Sequence, residues 1–465
     1  MNKRVLIIGL DCAPPQWVFD RWMDDLPRLR QLCQSGFYGS LESTVPPITV
    51  PAWMSMMTGR DPGTLGIYGF RNRKDYSYTG LNMASSKMVK EPTVWDLCAL
   101  RNKQVVILGV PLTYPPRPVN GALICGFPCP GGSSDYTYPP ELKDEIARIS
   151  PGYQIDVNEF RTNDKKHLLD QIETMTRERF DLASKMVTSR DWDLFMVVEM
   201  GPDRIQHGFW SYMDPSHRKY TPGHPFEHAI RDYYIRLDAH IGKLLDAAPA
   251  DAAILVVSDH GCQKMDGGIC FNEWLIQQGC LTLKTYPKQV EKLDLSTVDW
   301  DRTVAWGDGG YYGRLFLNVR GREPNGVLDP AQYEATRSDL IARLEGITDE
   351  SGTPIGTRVF KPENIYQRCR NIPPDLIVYF GNLNWRSVGS VGHGSIWTRE
   401  NDTGPDDANH AQQGILILSG LENQPRGRRE GMRIYDVLPT LCDLIDLDPP
   451  ADLIGRSLVD RASKQ

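Results

Sequence analysis

The sequence predicts an α/β fold: a mostly parallel central sheet flanked by helices, with an inserted cap subdomain late in the chain. Three observations predict it. Short runs of β-branched and aliphatic residues, Val5 to Leu10 and Ile254 to Val257, have the unbroken apolar character of strands buried on both faces, and they lead to aspartates, Asp11 and Asp259. Longer stretches of helical periodicity, Lys165 to Val187 and His228 to Asp246, alternate with such runs. From Cys262 to about Pro405 the texture changes to aromatic and glycine-rich segments, enough chain to carry strands and a helix of its own. At 465 residues the chain exceeds the usual size of one compact core. The expected division is a core of residues 1–262 and 406–465 and an insertion of residues 263–405.

Composition narrows the function classes. A hydrophobic content of 40%, a charged content of 24% and a net charge of −7 describe an ordinary globular protein without the basic face that a nucleic-acid polymer requires. The densest positive cluster, Arg426-Gly-Arg-Arg-Glu430, is short enough to be a solvated loop. No apolar stretch approaches the length of a membrane span. Residues 1–4 run directly into Val5 to Leu10, too brief an apolar run for a signal sequence, so the expected compartment is the cytoplasm. The ten cysteines are dispersed, with Cys125 and Cys129 the closest pair among the candidates for a ribbon, and no second such pair exists. Reduced, mostly buried thiols are expected.

Taken in order, Val5 to Leu10 is the first strand, ending at Asp11 and the turn-prone Ala13-Pro14-Pro15. Thr49-Val-Pro-Ala-Trp53 and Met54-Ser-Met-Met-Thr-Gly59 follow. Pro51 fits the first helical position and Gly59 the end, which puts Thr49 or Val50 at the helix mouth. A hydroxyl there meets unpaired N–H groups and the positive end of the helix dipole, although on local grounds Thr49 reads as readily as a capping threonine. Arg60-Asp-Pro-Gly63 and Gly66-Ile-Tyr-Gly-Phe70 read as turns. Thr93 to Leu100 is helical, Val105 to Val110 and Ala122 to Cys125 are strands, and Phe127 to Pro140 is a loop or lid. Asp193 to Glu199 is another buried strand, followed by Asp203 and His207, whose spacing of four puts both on one helical face, as a metal site requires. In the insertion, Leu315 to Val319 and Asp375 to Phe380 are strand-like and Ala331 to Leu344 helical. His410 directly precedes a strand at Ile415 to Gly420, and Val437 to Ile445 is a closing helix.

In parallel α/β sheets, ligands gather beyond the carboxyl ends of the strands. There the chain offers Asp11, Asp259 and His260 near the Thr49 hydroxyl, with Asp203, His207 and His410 as a second set: two mixed carboxylate–imidazole sites. Two metal ions a few ångströms apart can clamp the attacking and leaving oxygens of a displacement at phosphorus.

At these residues the chain resembles the alkaline phosphatase superfamily, and within it the type I phosphodiesterase/nucleotide pyrophosphatase branch. The resemblance is carried by Gly9-Leu-Asp11, Thr49-Val-Pro-Ala-Trp53 with Thr58-Gly59 and Gly66-Ile67, Asp203-x-x-x-His207, Ser258-Asp-His-Gly261 and His410-x-x-x-Gly-Ile415, in the family's order. It implies an alkaline phosphatase-like core, two divalent ions, most often zinc with manganese as the other choice, and a small-molecule phosphoester substrate. It implies Thr49 as the nucleophile, with Asp11, Asp259 and His260 holding the ion beside it and Asp203, His207 and His410 the other. The expected activity is hydrolysis of a phosphodiester or pyrophosphate through a phospho-threonine. A phosphomonoesterase, phosphonate hydrolase or phosphomutase on the same scaffold is the alternative, and a metal-binding protein without catalysis the third reading.

Two positions depart from the family pattern. Phe70 stands where the better-known nucleotide pyrophosphatases carry a phosphate-binding asparagine, for which Asn72 or Arg71 could substitute, and Leu65 replaces a frequent histidine before Gly66-Ile67. The Cys-x-Pro-x-Arg setting of the sulfatase branch is missing. His393, between glycines, competes with His410 for the last ligand position, and His410 matches the family's His-x-x-x-Gly. Trp53, Phe70, Asn72, Trp306 and Tyr312 are expected at the substrate pocket, because aromatic faces suit a flat leaving group.

Overall fold

The computed structural model describes residues 2–131, 133–422 and 424–459. Its centre is a sheet whose strands lie in the order Gly427–Arg428, Phe37–Glu42, Gln413–Ser419, Ala253–Val257, Val5–Leu10, Leu194–Glu199, Val105–Val110, Gly121–Cys125 and Thr137–Tyr138, with Met432–Arg433 also paired to Phe37–Glu42. The middle strands run parallel, as their uniformly buried sequences require, and Gln413–Ser419 is antiparallel to both its neighbours. The sheet is therefore mostly parallel and flanked by helices, as the sequence predicts. Thr137–Tyr138 is a departure. It falls inside the stretch expected to be loop and adds an antiparallel edge to Gly121–Cys125. Phe37–Glu42 alternates buried with part-exposed residues and lies near the sheet edge, so its short apolar signal does not stand out in the sequence.

The helices Lys165–Ser189, Gly201–Met213 and Ala229–Ala247 pack on one another, while Thr49–Thr58 packs with Val437–Ile445. Thr49–Thr58 is buried at every position, a helix apolar all round because it has sheet on one side and chain on the other. It begins at Thr49, so Pro51 is its third residue instead of its first. Proline is tolerated anywhere in the first turn, where backbone N–H groups have no intrahelical partner to lose. Gly59, at φ 66°, closes the helix in the left-handed conformation.

The apolar interior falls into clusters that follow the chain. One gathers residues between Val5 and Cys262 and between Ala408 and Val459, and a second gathers residues between Ile269 and Val391. The second surrounds a four-stranded antiparallel sheet, Ala305–Asp308, Gly313–Leu317, Leu376–Tyr379 and Arg358–Phe360, with the helix Tyr333–Glu345. A small third cluster, including Ile48, Tyr68, Tyr312 and Tyr379, has members from both regions. A buried ion pair, Arg73 Nη1 to Glu323 Oε1 at 3.1 Å, also links them.

The strand order positions the chemistry. Ala253–Val257, Val5–Leu10 and Leu194–Glu199 are three adjacent parallel strands, with Gly9 in register with both Val257 and Val198. Asp11, Asp259 and the start of the Gly201–Met213 helix therefore emerge side by side at the carboxyl ends of the central strands. Gly9 is required there by close approach: a Cβ on it would lie 2.5 Å from Trp53 Cη2 and 2.8 Å from Val198 Cγ2. The missing side chain lets the Trp53 indole lie against the strand and reach the carboxylate beyond it.

Candidate active site

Three carboxylates and three imidazoles meet beyond those strand ends, all buried. Asp11 follows its strand, Asp259 and His260 follow theirs, and Asp203 and His207 come from successive turns of one helix. His410 arrives differently from the sequence expectation. It lies within a short strand, Ala408–Ala411, paired antiparallel with Gly261–Lys264 so that Cys262 opposes His410. That pairing stacks the His410 ring on His260, with centroids 3.8 Å apart. His260 Nε2 is 3.2 Å from Asp259 Oδ2 and 3.8 Å from Asp11 Oδ1, and Asp203 Oδ1 is 3.3 Å from His207 Nε2 and 3.7 Å from His410 Nε2. The Thr49 hydroxyl is 3.3 Å from His260 Nε2, so it faces this cluster and does not cap its own helix.

Every carboxylate has one oxygen tied down and the other free. Trp53 Nε1 donates to Asp11 Oδ2 at 2.7 Å, the Cys12 amide donates to Asp259 Oδ1 at 3.2 Å, and Arg204 holds Asp203 Oδ2. The opposite oxygens, Asp11 Oδ1, Asp259 Oδ2 and Asp203 Oδ1, are buried with no hydrogen-bond partner. The imidazoles follow the same rule. Each Nδ1 faces an acceptor that cannot donate: Asp406 Oδ1 at 2.7 Å for His207, the Pro47 carbonyl at 2.7 Å for His410 and the Gly261 carbonyl at 3.1 Å for His260. Nδ1 must therefore carry a proton, which leaves Nε2 as the ring atom turned to the cluster. His207 Nε2 too has no partner.

A buried polar atom left without a partner costs about 1–3 kcal/mol, more if charged, so four such atoms converging on one place call for a cation. Oxygen and imidazole nitrogen are the donors of zinc-type sites, and outer groups holding the far side of each ligand are their usual accompaniment. The residues fit divalent metal ions. Asp11, Asp259 and His260 form one candidate group, while Asp203 belongs to two others, with His260 and His410 and with Cys12 and His207.

The electrostatics agree. Burial, and then repulsion from Asp203, push Asp11 well above the usual carboxylate range; burial and Asp11 do the same to Asp259. Burial would also raise Asp203, but His207 and Arg204 outweigh it and hold Asp203 low. Burial drives His260 down to about 4 and, with the neighbouring His260 and His207 rings, lowers His410. Burial opposes the charged form of His207 too, yet Asp406, Tyr311 and Asp203 raise it well above the ordinary value. Crowded carboxylates that resist ionising are what a nearby divalent charge reverses.

The expected pocket residues are mostly elsewhere. Trp53 is wholly buried and serves Asp11 from beneath. Asn72 spends its amide on its own loop, accepting from the Tyr68 amide at 2.8 Å and donating to the Gly69 carbonyl at 2.9 Å. Arg71, the other candidate for the place of the family's asparagine, is exposed. Trp306 is packed in the cap interior against Trp300 and Phe316, and the Tyr312 hydroxyl donates to the Tyr68 carbonyl. Phe70 is part-exposed, edge-on to Phe127. The ring that faces the cluster is that of the neighbour of Tyr312: Tyr311 stacks on His410 with centroids 4.0 Å apart, and its hydroxyl accepts from Arg161 at 2.8 Å. A one-residue difference on a glycine-rich turn decides which ring faces the cluster, and no periodicity in the sequence resolves it. His393 is a cap-loop residue bonded to Ser390 Oγ at 2.9 Å and belongs to none of the candidate groups.

Sequence reasoning also passed over Asp406, Arg161 and Arg386. Asp406 Oδ2 accepts from Arg161 Nε at 3.1 Å and Arg386 Nη1 at 3.3 Å, while Oδ1 holds His207. Asp406 lies only four residues before His410, a spacing that offered the one sequence clue.

The family model of type I phosphodiesterase / nucleotide pyrophosphatase matches residues 5–407. The match ends three residues before His410, whose place in the cluster comes from the geometry alone. No curated protein matches the sequence. Among solved structures, human ectonucleotide pyrophosphatase / phosphodiesterase 5 is similar at a TM-score of 0.57 and 14% identity, covering 96% of each chain. An inactive variant of the murine protein in complex with AMP is similar at a TM-score of 0.56 and 12% identity, covering 97% of this chain and 96% of that one. At such identities the likeness speaks to the fold, which is alkaline phosphatase-like as the sequence predicts. The family match, which spans most of the sequence and takes in five of the six clustered carboxylates and imidazoles together with Thr49, makes the chain a member of the type I phosphodiesterase / nucleotide pyrophosphatase family and a hydrolase.

Proposed function

We propose that the chain hydrolyses a phosphodiester or pyrophosphate bond of a small nucleotide-like substrate, with two divalent ions and Thr49 as the nucleophile. The observation that carries this is the set of four unpartnered buried donor atoms, Asp11 Oδ1, Asp203 Oδ1, Asp259 Oδ2 and His207 Nε2, gathered where the Thr49 hydroxyl also points. Asp11, Asp259 and His260 would hold one ion and Asp203, His207 and His410 the other, with zinc the best match to mixed imidazole and carboxylate donors. When bound, such ions draw charge from phosphoryl oxygens and ease loss of the hydroxyl proton.

Thr49 stands in the first turn of its helix, where the dipole favours the developing alkoxide. Its Oγ1 attacks phosphorus, the bond to the leaving group breaks, and water later cleaves the phospho-threonine to restore the hydroxyl. Trp53, Arg204 and Asp406 hold the ligands in place through this cycle. Tyr311, part-exposed and stacked on His410, would meet the leaving group together with the part-exposed Phe70, and the AMP held by the murine fold relative supports a nucleotide there. The division into a core of residues 1–262 and 406–465 and a cap of 263–405 is part of this reading, supported by the two apolar clusters; residues 460–465 lie outside the described ones. A reducing compartment, the cytoplasm, is supported by Cys12, Cys33, Cys98, Cys125, Cys262, Cys270 and Cys280, which are buried as thiols and not as disulfides.

The test is a panel of nitrophenyl mono- and diesters and a dinucleotide pyrophosphate, assayed with zinc-loaded protein. Diester or pyrophosphate turnover is expected, nearly abolished by Thr49→Ala with both metals retained and measurable in Thr49→Ser. Faster turnover of the monoester would favour the phosphomonoesterase reading. Full activity of Thr49→Ala would replace the covalent route with direct attack by water.

A further inference from the structure

The turn after the first strand carries a thiol that the proposed function does not use. Cys12 directly follows Asp11 and is wholly buried. Its φ is 65°, in the left-handed region where glycine is at ease and a side chain is not. A cysteine kept in that conformation has its Cβ aimed by the backbone, and residues so held cluster at functional sites. The turn is clamped on several sides. The Cys12 amide donates to Asp259 Oδ1 at 3.2 Å, Gln206 Nε2 donates to the Cys12 carbonyl at 2.7 Å, and the Ala13 amide donates to Ser258 Oγ at 2.8 Å. Gln206 sits between Asp203 and His207 on their helix, so this clamp fixes the thiol relative to those two ligands.

The sulfur consequently lies with them. Cys12 Sγ, an Asp203 carboxylate oxygen and a His207 ring nitrogen are all within 4.8 Å of one another. Asp203 Oδ1 and His207 Nε2 are both buried atoms without a hydrogen-bond partner, which is independent of the cysteine and itself points to a cation. The thiol donates to the Gly261 carbonyl at 3.3 Å, a weak bond that is lost once sulfur binds a metal, and it also meets the Cys262 side chain.

We propose that Cys12 is a ligand of the metal ion held by Asp203 and His207, making that site a mixed sulfur, nitrogen and oxygen site. The proposal rests on the metal-centre reading above and adds a residue to it. On binding, the S–H bond breaks, its proton goes to solvent, and the sulfur keeps the electron pair that it shares with the ion. The chemical consequence is selectivity. A thiolate suits zinc or cobalt and disfavours hard ions such as magnesium and manganese, so the two sites of one centre would differ in the ions they accept.

Full-length protein loaded with zinc or with cobalt tests this without any reference to turnover. X-ray absorption at the zinc edge should show a sulfur shell at about 2.3 Å beside nitrogen and oxygen at about 2.0–2.2 Å. The cobalt protein should show a near-ultraviolet sulfur-to-metal charge-transfer band, lost in Cys12→Ser and kept in Cys262→Ser, the control for the neighbouring thiol. Bound metal with neither sulfur shell nor band overturns the proposal and leaves the metal centre standing. A band that survives Cys12→Ser, or disappears in Cys262→Ser, also overturns it. Failure to take up either metal sinks the metal-centre reading and this proposal together. Should Cys12→Ser not fold, the wild-type sulfur shell and its persistence in Cys262→Ser decide the matter.

Discussion

Asp406→Asn isolates the outer support of one metal site without touching a ligand. The Asp406 carboxylate is fully buried, its Oδ1 2.7 Å from His207 Nδ1 and its Oδ2 shared between Arg161 and Arg386. An amide has one acceptor oxygen for these two duties. With oxygen toward His207, the NH2 meets two guanidinium groups, donor against donors. With oxygen toward the arginines, the NH2 faces Nδ1, which must then accept, and the ring proton moves to Nε2 where the metal should bind. The loss is one charge-assisted hydrogen bond, about 1.5–3 kcal/mol. Since 1.4 kcal/mol is about a factor of ten, that corresponds to roughly 10–100-fold weaker metal binding, the usual range for such outer partners. Competition for zinc against a chromogenic chelator should therefore show one weakened site and one unchanged, with the circular dichroism of the folded protein intact. Two zinc affinities within twofold of the parent's would refute the assignment of Asp406 as the group that orients His207.

Trp53→Phe removes the indole N–H from Asp11 and leaves unfilled volume beneath it, and should cost about 2–4 kcal/mol of stability in denaturant titration together with weaker binding at the Asp11 site. Unchanged stability and zinc affinity would mean that Asp11 needs no such support. His410→Ala should lower the zinc content measured by elemental analysis, whereas His393→Ala, remote in the cap loop, should leave it as it is; the reverse pattern would assign the ligand to the cap. Chelation should lower the melting temperature and added zinc restore it. Free zinc at 100 times the dissociation constant stabilises by about 2.7 kcal/mol per site, so a melting temperature indifferent to zinc counts against a buried metal centre.

The sequence by itself determined the central strands of the sheet and several of the side chains that gather beyond their ends. The strands at Val5–Leu10, Leu194–Glu199 and Ala253–Val257 are uniformly apolar because both their faces are buried, and this local signal survives without any knowledge of neighbours. Asp203 and His207 declare themselves through helical spacing, and Asp11, Asp259 and His260 through their place where a strand ends. Tertiary structure alone decided which oxygen of each carboxylate is free, because the groups that tie down the other one are non-local: Trp53 lies 42 residues from Asp11, and the Cys12 amide 247 from Asp259. Asp406 reaches His207 across 199 residues and Arg161 across 245. It is the same with Tyr311, whose ring stacks on His410 while that of Tyr312 is turned to the Tyr68 carbonyl, and with His410, which is placed by a strand pairing to Gly261–Lys264. Periodicity reports what a segment buries, not what it is buried against. The partners of a buried charge are chosen by the packing of distant segments, and that choice appears only when the chain is folded.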